Sequence, residues 1–231
     1  KKKNKETNFD FISLNEKKNK KEIKNLFFDK NFKIIDLEKI HVDFLDKDNK
    51  FNKFFIKKKN NSNYSLAGSI FNADNLIDNF LSDNRDFPKV LNKNFNISIK
   101  IDKILLDENY NLDNLNGNFS FKNQDIINGN LTGLFSNKKE FRLTIKSIGN
   151  KKITTLFSDE ADAIVGRYKF IKGFKNGVLD FYSSKQNDVS ISKIKIYDFK
   201  LKQLPALTKL LTLASLQGIA DLLSGDGIRF N

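Results

Sequence analysis

Residues 95–102 alternate without a break: Phe95, Ile97, Ile99 and Ile101 are apolar, and Asn96, Ser98, Lys100 and Asp102 are polar. Successive side chains of a strand point to opposite faces, so this run specifies a strand with one apolar face and one wet face. The same two-residue period recurs at Phe119 and Phe121, at Phe141, Leu143 and Ile145, at Leu179 and Phe181, and at Val189 and Ile191. Gly117, Gly129, Gly133, Gly149 and Gly177 punctuate these runs at turn-like spacing, and Pro88 and Pro205 are the only prolines. The pattern predicts a mainly β fold with a few short helices. Around Ser192 and Lys193 the parity slips, Ile194 and Ile196 becoming the apolar pair, and Phe199 and Leu201 shift it back. Such slips predict bulges or corners in a curving sheet.

Three places break from strand to helix. A strand-then-helix unit is expected near 64–86, where Leu76, Ile77, Phe80 and Leu81 fall at helical spacing behind Asn72 or Asp74 as a cap. A second is expected near 153–166, with Ser158 available as a cap and Asp159 and Glu160 in the first turn, favourable at the positive end of the helix dipole. The third is a helix near 205–224, entered at Pro205 and ended by Ser224-Gly225-Asp226-Gly227. Its Leu207, Leu210, Leu211, Leu213, Leu216, Ile219, Leu222 and Leu223 spread almost right round the axis, so it needs cover from a core, a groove or an interface.

At 231 residues the chain can bury a real core without staples, as one large β domain or two small ones. It begins at Lys1 and contains no Met, which leads us to expect a part of something longer. Residues 1–30, dense in Lys, Asn and Glu, are expected to be poorly ordered or an edge, and 31–231 to form the β segment. No membrane span or signal pattern is expected, since the uncharged stretch 210–220 falls well short of the ~20 apolar residues a span requires. The absence of Cys removes disulfides, thiolate zinc sites and cysteine nucleophiles together. A net charge of +13 would ordinarily raise nucleic acid as a partner, but the cations are nearly all Lys, with only Arg85, Arg142, Arg167 and Arg229 to supply planar forks. No nucleic acid is expected as a partner. The chain is also loaded with Asn, Ile and Phe, the pattern an AT-rich genome produces through codon choice, and much of the charge reads as genomic drift on solvated faces.

Catalytic equipment is missing from the sequence. The single His, His41, lies on the polar side of the alternation Ile40-His41-Val42-Asp43-Phe44 and reads as a solvated strand residue. Asp43 to Asp48 lacks both the Gly and the terminal Glu of a calcium loop, so neither a metal nor another cofactor is expected. Asp159 and Glu160 are adjacent and therefore diverge, which suits a dipole role better than acid/base work. Gly225-Asp226-Gly227 ends a helix instead of opening one and fits no phosphate loop. The Lys and Phe interleaved over Phe51 to Lys59 could stack on single-stranded nucleic acid, but read better as an edge strand guarded by lysines. We therefore expect no enzyme and no catalytic residues.

The string running from Leu204-Pro205-Ala206-Leu207 through Leu213-Ala214-Ser215-Leu216 to Ser224-Gly225-Asp226-Gly227-Ile228 resembles the helix of the AsmA-like C-terminal region found in YhdP-type proteins. Ser158-Asp159-Glu160-Ala161, Gly173 and Asn176-Gly177-Val178-Leu179 resemble the short helix and following strand of that region, though the family usually carries a small residue where Asp162 stands. Gly68 to Asp74, 112–117 and 128–133 fit the preceding part more loosely, so the resemblance covers about 64–231.

The resemblance implies a curled antiparallel sheet, a repeating β-groove with an apolar concave face and a C-terminal apolar helix. It further implies a module of a periplasmic protein, anchored in the inner membrane outside this segment, that conducts phospholipids between the inner and outer membranes of a Gram-negative bacterium. Phospholipid acyl chains are then the expected partners, with envelope proteins or the outer membrane as further candidates, and the segment is expected to be monomeric within a longer chain. Ile97, Ile99, Ile101, Phe119, Phe121, Phe141, Leu143, Ile145, Leu179 and Phe181 are the candidate groove lining. The alternative is a non-catalytic scaffold whose 205–224 helix engages a partner protein or a membrane surface.

Overall fold

A computed structural model of the chain describes residues 7–17, 19–75, 91, 93–123, 125–166, 174–187 and 189–201. Twelve strands lie side by side in one sheet, in the order in which they occur in the chain. They are β1 (Thr7–Glu16), β2 (Asn19–Phe28), β3 (Ile34–Leu45), β4 (Phe51–Lys58), β5 (Asn63–Asn72), β6 (Phe95–Leu105), β7 (Asn111–Lys122), β8 (Asp125–Phe135), β9 (Glu140–Ile148), β10 (Lys151–Ser158), β11 (Phe174–Gln186) and β12 (Val189–Leu201). Each alternating run of the sequence falls inside one of them. The single complete helix among the described residues is one turn, α1 (Asp162–Val165).

The sheet is open: β1 pairs with β2 and β12 with β11, and no ladder joins β1 to β12. All neighbours are antiparallel except β5 and β6, which run parallel, Leu66 opposite Ile99. A parallel pair needs a long crossover, and the connection 73–94 supplies it. Asp74 and Asn75 open helically there, with the Asn72 side chain accepting a hydrogen bond from the Asp74 amide, as expected of a cap. Leu76, Ile77, Phe80 and Leu81 lie outside the described residues, as does the whole of the expected 205–224 helix.

Several local expectations change. The first segment forms two regular strands, β1 at the sheet's edge and β2 between β1 and β3. A strand added to an existing sheet gains its partner's backbone hydrogen bonds and needs apolar residues on one face alone, which Ile12, Ile23 and Leu26 provide. The Lys-flanked β4 is interior, between β3 and β5, and not an edge. At Ser192 and Lys193 there is no bulge, since β12 keeps constant register with β11 and Val189 and Ile191 simply lie on its other face, 65% and 61% exposed. The second parity change is built by Asp198 at φ 55 opposite Asn176 and Gly177 at φ 60 and 91, and it returns Phe199 to stack on the buried Phe174 at 5.1 Å. Register slips occur instead at 27/28, 53/54, 113/116 and 120/121.

Three clusters of buried side chains follow one another along the sheet. Leu26, Leu37, Tyr64, Leu91 and Phe95 form the first; Ala73, Ile101, Ile104, Leu106, Leu112, Leu115, Phe135 and Ala163 the second; Ala161, Val165, Phe174 and Leu179 the third.

Candidate functional site

The ladders bring the apolar alternations into line. Ile12 pairs with Ile23, and the row continues through Ile40, Ile56, Leu66, Ile99, Gly117, Leu131, Leu143, Leu156 and Phe181 to Ile194. Directly paired residues point to the same face. One face of the sheet therefore carries a track without a single polar side chain, crossing all twelve strands over about 50 Å at ~4.8 Å per strand. Every member of the row is half-buried, none fully. One residue along, the opposite face carries Lys24, Lys39, Lys57, Ser65, Ser98, Asn118, Asn130, Thr144, Thr155, Tyr182 and Lys193 in the same unbroken pairing. Along this pair of rows, apart from Phe11 opposite Lys24 on β1, one face is apolar and the other polar.

The ten residues expected to line a groove all fall on the apolar face. Ile99, Leu143 and Phe181 belong to the central row; Ile97 pairs with Phe119 in the row beside it, which reaches Ile145 through Gly129. Phe121 stacks on Phe95 with centroids 4.4 Å apart. Phe141 lies on the other side of the central row, level with Gly133 and Ser158. Ile101 and Leu179 face the same way but are buried, at 3% and 1% exposure, the first in the central cluster and the second among Ala161, Val165 and Phe174 around α1. They are packed supports, while the other eight remain half-open. The reading of single strands did not reach Ile12, Ile23, Ile40, Ile56, Leu66, Leu131, Leu156 and Ile194, whose strands alternate more raggedly; cross-strand register is what brings them into the row. Leu207, Leu210, Leu211, Leu213, Leu216, Ile219, Leu222 and Leu223 lie outside the described residues.

Several polar groups that enter the apolar side around β2 to β5 are tied down. The Asp36 carboxylate accepts hydrogen bonds from Lys58 Nζ at 2.5 Å and the Tyr64 hydroxyl at 2.5 Å, and pairs with Lys93 Nζ at 2.9 Å. Burial would raise its pKa, but the hydrogen bonds from Lys58, Tyr64 and Lys93 outweigh burial and hold it down to about 2. At the opposite end of the neighbouring strands the Asp46 side chain accepts from the Asp48 and Lys50 amides and from the side chains of Asn52 and Asn72. This loop spends its carboxylate on backbone amides and on the Asn52 and Asn72 side chains. Lys21, opposite Val42, lays its ammonium over the Phe44 ring at 4.1 Å.

The acidic pair before α1 takes other roles than the expected one. Asp159 accepts from the Glu140 amide, and Glu160, 6% exposed, binds Asn137 and Lys139 across the β8–β9 turn. The helix starts later than expected, capped at Ala161 without a side-chain bond, because the Ser158 hydroxyl is engaged with the Glu160 backbone in the preceding turn. Asp162 fixes α1 to β11 by accepting from the Asn176 amide at 2.9 Å. His41 lies on the wet face, paired with Phe55, its Nδ1 3.6 Å from Glu22. Among the described residues no three His, Cys, Asp or Glu side chains gather in a way that could hold a metal ion, and no helix is long and apolar enough to cross a membrane.

Comparison of the chain with protein-family models, with curated proteins and with solved structures gives no match.

Proposed function

We propose that this chain is a segment of an AsmA-like, YhdP-type β-groove that holds phospholipid acyl chains along its apolar face and passes them between the inner and outer membranes. The observation that carries the reading is the half-open apolar row from Ile12 to Ile194. An enclosed core would hide such a row, and leaving it in water costs on the order of 25 cal/mol per Å² of apolar surface. Among the described residues no second sheet supplies the missing cover. Acyl chains supply it at ~0.8 kcal/mol per buried methylene, and without directional bonds they slide along the row as readily as they bind. A continuous track suits passage; a ligand that stays would be served by a closed pocket. Curling into a groove follows from sheet twist, because roughly 20–25° per strand accumulated over so many strands cannot stay flat. The resemblance of 204–228 and 158–179 to the AsmA-like C-terminal region supplies the setting: the periplasm, with the membrane anchor outside this segment.

Native mass spectrometry of the full chain, purified from a Gram-negative host, is expected to show co-purified phospholipid. Ile99→Asp or Leu143→Asp is expected to abolish it while far-UV circular dichroism still reports a sheet, since each aspartate sits where water already reaches. A lipid-free wild type, or variants that keep their lipid, would overturn the reading.

A further inference from the structure

The apolar side is not uniform along its length. In β6 and β7 it is apolar over four successive positions of the face, from Phe95 to Ile101 and from Phe121 to Leu115. In β10, β11 and β12 the central row of Leu156, Phe181 and Ile194 is followed on the same face by Thr154, Ser183 and Ser192, each directly opposite the next. Beyond these come Lys152, Lys185 and Ser190, again in register. No bulge interrupts these ladders, so strict alternation puts all nine on the side of the apolar track. Hydrogen bonds link the hydroxyls, Ser192 to Ser183 at 3.0 Å and Ser183 to Ser190 at 3.3 Å.

The two lysines are the anomaly. Like charges directly opposite one another in a sheet repel and destabilise. Neither Lys152 nor Lys185 forms a salt bridge or side-chain hydrogen bond with any described residue. Lys152 is half-buried, and that burial lowers its pKa, as does the field of Lys185, while Asp125 acts the other way from beyond ion-pairing range. Two lysines opposite one another with no ion pair among the described residues, beside a ladder of hydroxyls and then an apolar floor, repeat the order phosphate, glycerol ester, acyl chain.

We propose that Lys152 and Lys185, with Thr154, Ser183 and Ser192 beside them, form a site for the phosphate ester of an amphiphile whose chains lie on the adjoining apolar rows. The site rests on the acyl-binding reading above and adds a fixed point to it. A lipid is oriented here, head at the β9–β10 and β11–β12 turns and tail toward Leu156 and Phe181, instead of merely dissolved along the track. Charge-assisted hydrogen bonds contribute roughly 1.5–3 kcal/mol each, which corresponds to about 10- to 100-fold in affinity.

The full chain is titrated calorimetrically with dioctanoyl phosphatidylglycerol, with dioctanoylglycerol and with inorganic phosphate. The phospholipid is expected to bind at least about tenfold more tightly than the neutral diglyceride. In K152Q/K185Q the phospholipid is expected to fall to the diglyceride's affinity while the diglyceride's own affinity stays as it was. The double variant removes both charges while keeping most of each side chain, and its melting temperature is measured beside the wild type's; K185Q alone, at an exposed position, repeats the test should the double variant melt lower. A wild type without preference, or a double variant that keeps it, overturns the site. Inorganic phosphate binding as tightly as the phospholipid, and lost in K152Q/K185Q, would mean a free-anion site and overturns the amphiphile. If Ile99→Asp loses both lipids and K152Q/K185Q only the preference, groove and head site are separated; if neither lipid binds the wild type, the acyl reading fails first and this one with it.

Discussion

Among the described residues ten non-glycine positions have positive φ, and six of them are Asn: Asn25, Asn49, Asn114, Asn123, Asn176 and Asn187. Asparagine tolerates the left-handed region because its short amide can bond locally to the backbone, so it closes turns and bulges at little cost. Part of the Asn content that composition alone assigns to genomic bias is therefore structural. Phe32 is the misfit, at φ 57 in the β2–β3 turn, its ring 76% exposed. A bulky side chain in that region costs about 1–2 kcal/mol, and the ring gains no packing in return. Phe32→Asn is expected to stabilise the fold by about 0.5–1 kcal/mol, read as a higher urea midpoint at unchanged slope. An unchanged or lower midpoint would mean that the turn is not strained. The reverse economy holds at Gly129, where a Cβ would lie 2.1 Å from Phe119 Cδ1. The ring covers the glycine across the ladder, which keeps the track continuous where one residue brings no side chain.

Elements are joined by a few polar ties that no local pattern announces. Asp36 on β3 collects Lys58 at the end of β4, Tyr64 on β5 and Lys93 at the close of the β5–β6 crossover. Its folded pKa of about 2 lies below the unfolded value near 3.8. The unfolded chain therefore binds the proton first, and the stabilisation is present above about pH 4 and lost as pH falls toward 2. Allowing for its partial exposure the tie contributes about 1–2 kcal/mol. Urea midpoints of the wild type and Asp36→Asn are expected to differ by that amount at pH 5 and to converge near pH 2; a gap that stays constant with pH would assign the loss to packing. Strand positions were legible in the sequence because Phe95 to Ile101, Phe141 to Ile145 and Leu179 to Phe181 state their faces outright. Eight half-open residues of the candidate lining were legible for the same reason, whereas the row members on more ragged strands, such as Ile12, Ile40 and Leu131, needed cross-strand register. The parallel step from β5 to β6 was not, since alternation says which way a side chain points and nothing about which way the neighbour runs. Nor was the interior place of β4: lysines at Lys53 and Lys57 guard an edge or line a wet face equally well, and partners on both sides decide between them. Asp36 and Lys93 are 57 residues apart in sequence and meet only through the crossover.

At the scale of the molecule, twelve strands in chain order make a ladder in which each rung touches its neighbours in sequence. Stability in such an array is close to a sum of rung energies and nearest-neighbour interfaces, as in repeat proteins, and need not be shared evenly. The richest interfaces are central, where Ile101 and Ile104 of β6, Leu112 and Leu115 of β7 and Phe135 of β8 bury one another. At the edges β1 leaves Phe9, Phe11 and Leu14 largely exposed, and β12 leaves Val189 and Ile191 so while its Ile194 and Ile196 pack against the Leu179 cluster. Opening an edge strand sacrifices one interface; opening β7 sacrifices two, and the core with them. Native-state hydrogen exchange is expected to be slowest in β6 to β8 and to quicken stepwise toward both ends, with ladder amides of β1 and β12 exchanging at least about 30-fold faster, the consequence of a difference of about 2 kcal/mol. Equal protection from β1 to β12 would mean that the sheet opens as one cooperative unit, and the rung-by-rung account would have to be given up.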